Sequence, residues 1–171
     1  MSIDLGILLV RVLFGGAIAA HGAQKLFGWF GGYGIKGTGG FFETIGFRPG
    51  TTFAALAGLT EFGGGVLLIL GLFTPLGAAA VVSTMIVALV SVHLKSGFFA
   101  ASNGIEMPFL YAAAAVGLAF TGGGAFSLDA VFPVKVLTEP YLVIGVLVLA
   151  VAGAAAVLGM RGQPRQEATT T

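Results

Sequence analysis

Residues 8–25 read LLVRVLFGGAIAAHGAQK. The stretch is apolar through most of its length, with an arginine at its fourth position and a histidine and a lysine near its end. Taken from Ile3 to Lys25, it is long enough to cross hydrocarbon, for which about 20 helical residues suffice. A removable leader carries positive charge before its apolar part and small residues at a cleavage point. Here Arg11 lies inside the run, so the stretch reads as a retained transmembrane helix.

Composition carries that reading to the whole chain. Of its 171 residues, 57% are hydrophobic and 9% charged, whereas a soluble domain carries roughly 25% charged residues. So little charge cannot cover a water-facing surface, and the solvent for most of the chain is lipid. The 29 glycines suit helices whose backbones approach closely in a bilayer. A net charge of +1 with scattered Lys and Arg argues against nucleic acid as a partner. The absence of cysteine excludes a disulfide framework, thiolate metal ligands, Fe–S clusters and thiol–disulfide catalysis by this chain.

Four further apolar runs follow: 52–73, 76–95 opened by Pro75, a shorter one at 105–121 with Pro108 near its start, and 141–160. All are apolar all round, without the alternation of barrel strands. The expected fold is an all-α membrane protein, a four-helix transmembrane core with a fifth C-terminal transmembrane helix. The expected organisation is a core over 1–131, a linker and extra helix over 132–160, and a disordered polar tail over 161–171. A tight turn at Phe73, Thr74 and Pro75 makes the second and third helices an antiparallel hairpin. The connection 26–50 holds nine glycines and seven aromatics. It is too apolar for a solvated linker, and residues 41–47 fit a turn or two at the headgroup level. With five spans, Lys25, Lys36, Arg48, Lys95, Arg161 and Arg165 share one side and Lys135 lies on the other. The positive-inside rule then places the N-terminus outside and the C-terminus in the cytoplasm of a plasma (inner) membrane.

Charge at membrane depth costs about 2.5–3.5 kcal/mol on an insertion scale, so it calls for a partner or a function. Arg11 and Glu61 qualify. Counted from their helix ends they lie roughly 12 and 15 Å deep, which suggests an ion pair between them. That pair is either structural glue or a functional group in which Arg11 sets the charge state of Glu61, a proton carrier or headgroup ligand. Gly58 and Gly65 flank Glu61 with a small-residue patch that admits a neighbouring helix.

A second cluster gathers at the cytoplasmic level: His21, Gln24 and Lys25, then His93 and Lys95, then Asn103 and Glu106. The lysines also suit interfacial anchoring. Bis-histidine haem ligation fits poorly because both histidines lie at helix ends. Zinc lacks the spacing of a ligand set, so no metal is expected. A quinone headgroup suits the place better, since it needs hydrogen-bond donors, a proton-exchanging group and an apolar slot. The glycines at 32, 34 and 37 spell G-x-G-x-x-G, but without the strand and helix of a βαβ unit the pattern carries no dinucleotide site.

Several blocks resemble the DoxX family of small membrane proteins. They are LLVRVLFGGAIAAHGAQKLFGWFGG (8–32), LTEFGGGVLLILGLFTPLGAA (59–79), MIVALVSVHLKSGFFAASNGIEMPFLYAAAA (85–115) and AFSLDAV (125–131). The likeness spans roughly residues 5–131 and includes Arg11, His21, Gln24, Lys25, Glu61, His93, Asn103, Glu106 and Asp129. Pro75 departs from it, standing where an arginine is common. The resemblance implies a four-helix membrane core in a family that includes a subunit of a thiosulfate:quinone oxidoreductase. The expected function is therefore a membrane subunit of a quinone-linked oxidoreductase of sulfur or oxidative-stress chemistry. Glu61, His93 and Arg11 are its expected catalytic groups, and His21, Gln24, Lys25, Asn103 and Glu106 are expected to line a quinone or small-anion site. Lys25 and His93 would suit an anion such as thiosulfate. The electrons require a redox cofactor or a partner redox subunit in or at the bilayer. The rival reading is a non-catalytic accessory or assembly subunit of a larger membrane complex. A proton-coupled transporter lacks the inverted repeats typical of such folds.

Overall fold

A computed structural model describes residues 2–132 and 138–164. The expectations resting on Lys135, on Arg165 and on the tail from 165 onward lie outside the described residues. Among the described residues the chain is all-helical and has no strand.

Helix α1 (Ser2–Phe27) runs straight through the opening stretch. Helix α2 (Gly34–Thr44) is short, and α3 (Gly50–Leu70) follows Pro49. Helix α4 (Thr74–Ala88) carries Pro75 in its first turn, where the missing amide is tolerated. It continues as a π turn, Leu89–His93, and a 3₁₀ turn, Leu94–Ser96. Helix α5 (Glu106–Thr121), the single turn α6 (Leu128–Val131) and α7 (Pro140–Gly159) complete the chain. Four helices are long and apolar enough to cross a membrane: α1, α3, α4 with its extension to Ser96, and α7. Helix α5 has 16 residues, short of the roughly 20 needed, so a fifth full crossing is not established. The interfacial turn expected at 41–47 lies earlier, as α2, against α3.

Antiparallel α1 and α3 pack most closely, through glycine. A Cβ at Gly22 would fall 2.3 Å from the Phe62 amide nitrogen, and one at Gly65 would fall 2.5 Å from the Gly15 carbonyl oxygen. Only glycine allows backbones this near. Gly15 and Gly22, like Gly58 and Gly65, are seven residues apart, two helical turns, so both ends of the crossing are pinned. On the other side α3 meets α4, with Gly64 against Gly77 and Ala80. Helix α4 then packs on α5 and α7. The core is Ile18, Leu68, Ala78, Val81, Val82, Met85, Ala115, Leu118 and Val143. Leu9, Leu13, Leu59, Val148 and Leu149 are exposed, as lipid-facing side chains are.

One polar knot fixes an end of the bundle. Gly71, at φ +60°, ends α3 in the left-handed conformation, and a Cβ there would also strike the Arg11 guanidinium. Arg11, 1% exposed, donates to the carbonyls of Leu68 (3.0 Å), Ile69 (3.2 Å), Phe126 (3.0 Å) and Gly123. Two of these are last-turn carbonyls of α3, at its negative pole. Asp129 serves the next helix in the opposite sense. It accepts from the amides of Phe73 (2.7 Å) and Thr74 (2.9 Å) and from the Thr74 hydroxyl (2.6 Å), at the start of α4.

Candidate functional site

The glycine register decides which charges meet. With Gly22 against Phe62 and Gly15 against Gly65, Arg11 falls beside the end of α3. Glu61 lies seven residues before Leu68, roughly 10 Å deeper. The expected Arg11–Glu61 pair therefore does not form. Glu61 instead faces Lys25, whose Nζ donates to Glu61 Oε2 at 2.5 Å. Counting from helix ends failed because the first nine residues of α1 extend past the end of α3, to a loop where Asp4 accepts from the Ala125 amide.

The pair borders a cavity of about 370 Å³, within the usual range for small-molecule sites. Phe41, Phe42 and Ile45 come from α2 and its end, Phe47 and Phe53 from the entry to α3, and Ala57 and Thr60 from α3. Helix α4 adds Ser83, Thr84, Val87 and Ala88, the π turn adds Ser91, Val92 and His93, and α7 adds Gly153 and Val157. Apart from the ion pair, its polar groups are three serine or threonine hydroxyls on α4 and its π turn, Thr60 and one histidine. Thr60, Thr84 and Ser91 each donate to the carbonyl four residues back, which leaves their oxygens free to accept.

His93 closes one end. Its Nδ1 is 2.8 Å from the Asn103 carbonyl oxygen. A carbonyl only accepts, so Nδ1 carries the proton and Nε2 is the free ring nitrogen. A π turn is an uncommon widening of a helix that recurs at functional sites, and here it delivers Ser91 and His93 to the cavity wall. From Gly64 against Gly77 and Ala80, Glu61 stands level with Ser83 and Thr84. His93 is nine residues beyond Thr84, roughly 13 Å along the axis. The cavity thus runs from a deep ion pair to a histidine nearer the helix end.

Of the expected site residues, Lys25, Glu61 and His93 come together here, and Arg11, His21, Asn103 and Glu106 do not line the cavity. His21 is exposed and meets Tyr111, ring centroids 6.3 Å apart. The two histidines share one half of the bundle, but not one site. Gln24 donates from Nε2 to the Phe30 carbonyl (3.1 Å). It lines a second cavity of about 620 Å³, which shares Lys25, Phe41 and Phe42 with the first. Asn103, at φ +61°, acts through its carbonyl. Glu106 accepts from the Ala100 amide at 2.7 Å and so braces the loop that holds Asn103. Sequence reasoning missed the hydroxyls of α4, the α7 wall and the capping by Asp129. Thr84 and Ser91, seven apart on one helix face and in line towards His93, were a readable signal.

The fold and site define a class: an integral membrane helix bundle with an ion pair bordering a cavity lined by Phe and aliphatic side chains. A family model described as DoxX matches residues 6–94. "Putative oxidoreductase CatD" of Bacillus subtilis (strain 168) is 33% identical over 128 residues, 75% of this chain and 87% of that protein. The chain belongs to the DoxX family. The matched region holds Lys25, Glu61 and His93, whereas α5, α6 and α7 lie beyond it. No solved structure matches.

Proposed function

We propose that this chain is the quinone-handling membrane subunit of an oxidoreductase, and that the Lys25–Glu61 cavity is its site. One observation carries the reading: a single ion pair, a few hydroxyls and one histidine are set into a cavity otherwise walled by Phe and aliphatic side chains. A flat ring with polar edges and an apolar tail requires that combination. The similarity to a protein named as an oxidoreductase supports the reaction class.

A bound quinone supplies a two-electron, two-proton couple whose electrons come from a partner subunit. The chain's own groups bind and handle protons. Lys25 Nζ has three donors; one is held by Glu61, and the others are available to a carbonyl oxygen. Glu61 fixes that ammonium and compensates its charge in a low-dielectric setting. Thr84 and Ser91 hydroxyls lead from the pair towards His93, and Nε2 is the atom that exchanges protons near the helix ends. His93 is too far along α4 to grip the same ring as Lys25, so its part is proton exchange. Lys36, Lys95 and Arg161 belong to this half of the molecule, which supports placing it in the cytoplasm under the positive-inside rule. A C-terminal reporter active only in the cytoplasm tests that placement, and silence from it would reverse the orientation.

In membranes holding the partner, His93→Ala is expected to lower quinone reduction at least about a hundredfold, the low end of lost general acid–base catalysis, and Glu61→Gln at least about tenfold, through the weakened hold on the Lys25 ammonium. Full activity in both variants would sink the proposal.

A further inference from the structure

We propose that Arg161 is a positioning residue for the cavity, clasping the end of α7 to the segment between α2 and α3 so that α7 forms the closing wall. Arg161 Nε donates to the Ile45 carbonyl at 2.6 Å, and the Gly162 amide donates to the Gly46 carbonyl at 2.9 Å. The guanidinium carbon lies 5.9 Å from the centroid of the Phe47 ring, a cation–π distance. Ile45 and Phe47 are cavity walls, and Phe47 is 2% exposed. Gly153 and Val157, four apart on one face of α7, are also cavity walls, and Arg161 follows just past the helix end at Gly159. An arginine at a helix end ordinarily extends into the headgroups. This one turns inward onto two residues of the cavity wall. The segment that closes the site thus lies outside the region matched by the family model, which ends at residue 94. The clasp requires only the cavity, whatever molecule occupies it.

The cysteine-free chain allows a direct test by thiol labelling. Ser83→Cys puts a thiol on the cavity wall, and Ala119→Cys puts one in the packed core, at a residue 0% exposed. Each is labelled with N-ethylmaleimide in detergent, alone and with Arg161→Ala. Losing a charge-assisted hydrogen bond and its ring contact is expected to raise the rate at position 83 at least about tenfold through local opening. The rate at position 119 should stay unchanged, and Arg161→Lys, which keeps charge and one donor, should fall between. An unchanged rate at position 83, an equal rise at position 119, or a lysine variant no different from alanine would overturn the proposal. The labelling uses no quinone, so its failure is separate from any failure of the quinone reading.

Discussion

Lys25 Nζ lies 2.5 Å from Glu61 Oε2, and the two ends of the pair are unequally buried: the glutamate side chain is 4% exposed and the lysine 24%. The carboxylate depends on its partner, whereas the ammonium retains a route towards polar surroundings. Removing Lys25 should therefore harm the fold more than neutralising Glu61. We expect Lys25→Met to destabilise by less than the roughly 3–5 kcal/mol of a fully buried broken pair, and Glu61→Gln by less again, since the amide still accepts. A double-mutant cycle read by unfolding in denaturing detergent checks this; additive effects would mean that the pair contributes no coupling.

The α1–α3 crossing predicts two opposite outcomes from one substitution type. A Cβ at Gly22 meets the Phe62 backbone at 2.3 Å, and one at Gly16 meets nothing within 4 Å. Gly22→Ala should cost at least the roughly 1–3 kcal/mol of overpacking, because backbone cannot yield as a side chain does. Gly16→Ala should stay within about 0.5 kcal/mol. Thermal unfolding of both variants in the same detergent decides the matter, and equal midpoints would refute the register.

Arg11 caps α3 at the opposite end from His93, so its loss should unsettle the fold without reaching the cavity. Lysine cannot reproduce a fork that reaches four carbonyls. Losing two charge-assisted hydrogen bonds puts the cost of Arg11→Lys on the order of 3 kcal/mol. Ligand content per folded molecule should be unchanged. Reduced content with unchanged stability would return Arg11 to the binding machinery.

Much of this architecture is legible in the sequence, because long apolar runs bounded by Gly and Pro leave few alternatives in lipid. The hairpin at Phe73–Pro75 follows from run length, Glu61 stands out by the rarity of charge at depth, and Lys25 and His93 stand out because the topology brings their helix ends to one level. The pairing does not. Depth counted from helix ends pairs Arg11 with Glu61, and only the glycine register, Gly15 and Gly22 against Gly58 and Gly65, moves Glu61 to Lys25. The heptad spacing of those glycines was visible but ambiguous, since each could have faced any neighbour. The π turn at Leu89–His93 and the inward turn of Arg161 arise from tertiary packing, and neither has a local sequence signature.

Quinone binding at the Lys25–Glu61 cavity is tested by filling that cavity without touching its charges. Ala57 lines the cavity beside Glu61, and Ala57→Phe would occupy much of the space while leaving Lys25 and Glu61 in place. The native chain and this variant would be purified from native membranes in mild detergent, and extracted quinone measured by mass spectrometry per folded chain. Quinone is expected with the native chain, with at least about a tenfold loss in Ala57→Phe, a difference of about 1.4 kcal/mol in binding. No quinone with the native chain, or equal amounts with both, would contradict binding at this cavity.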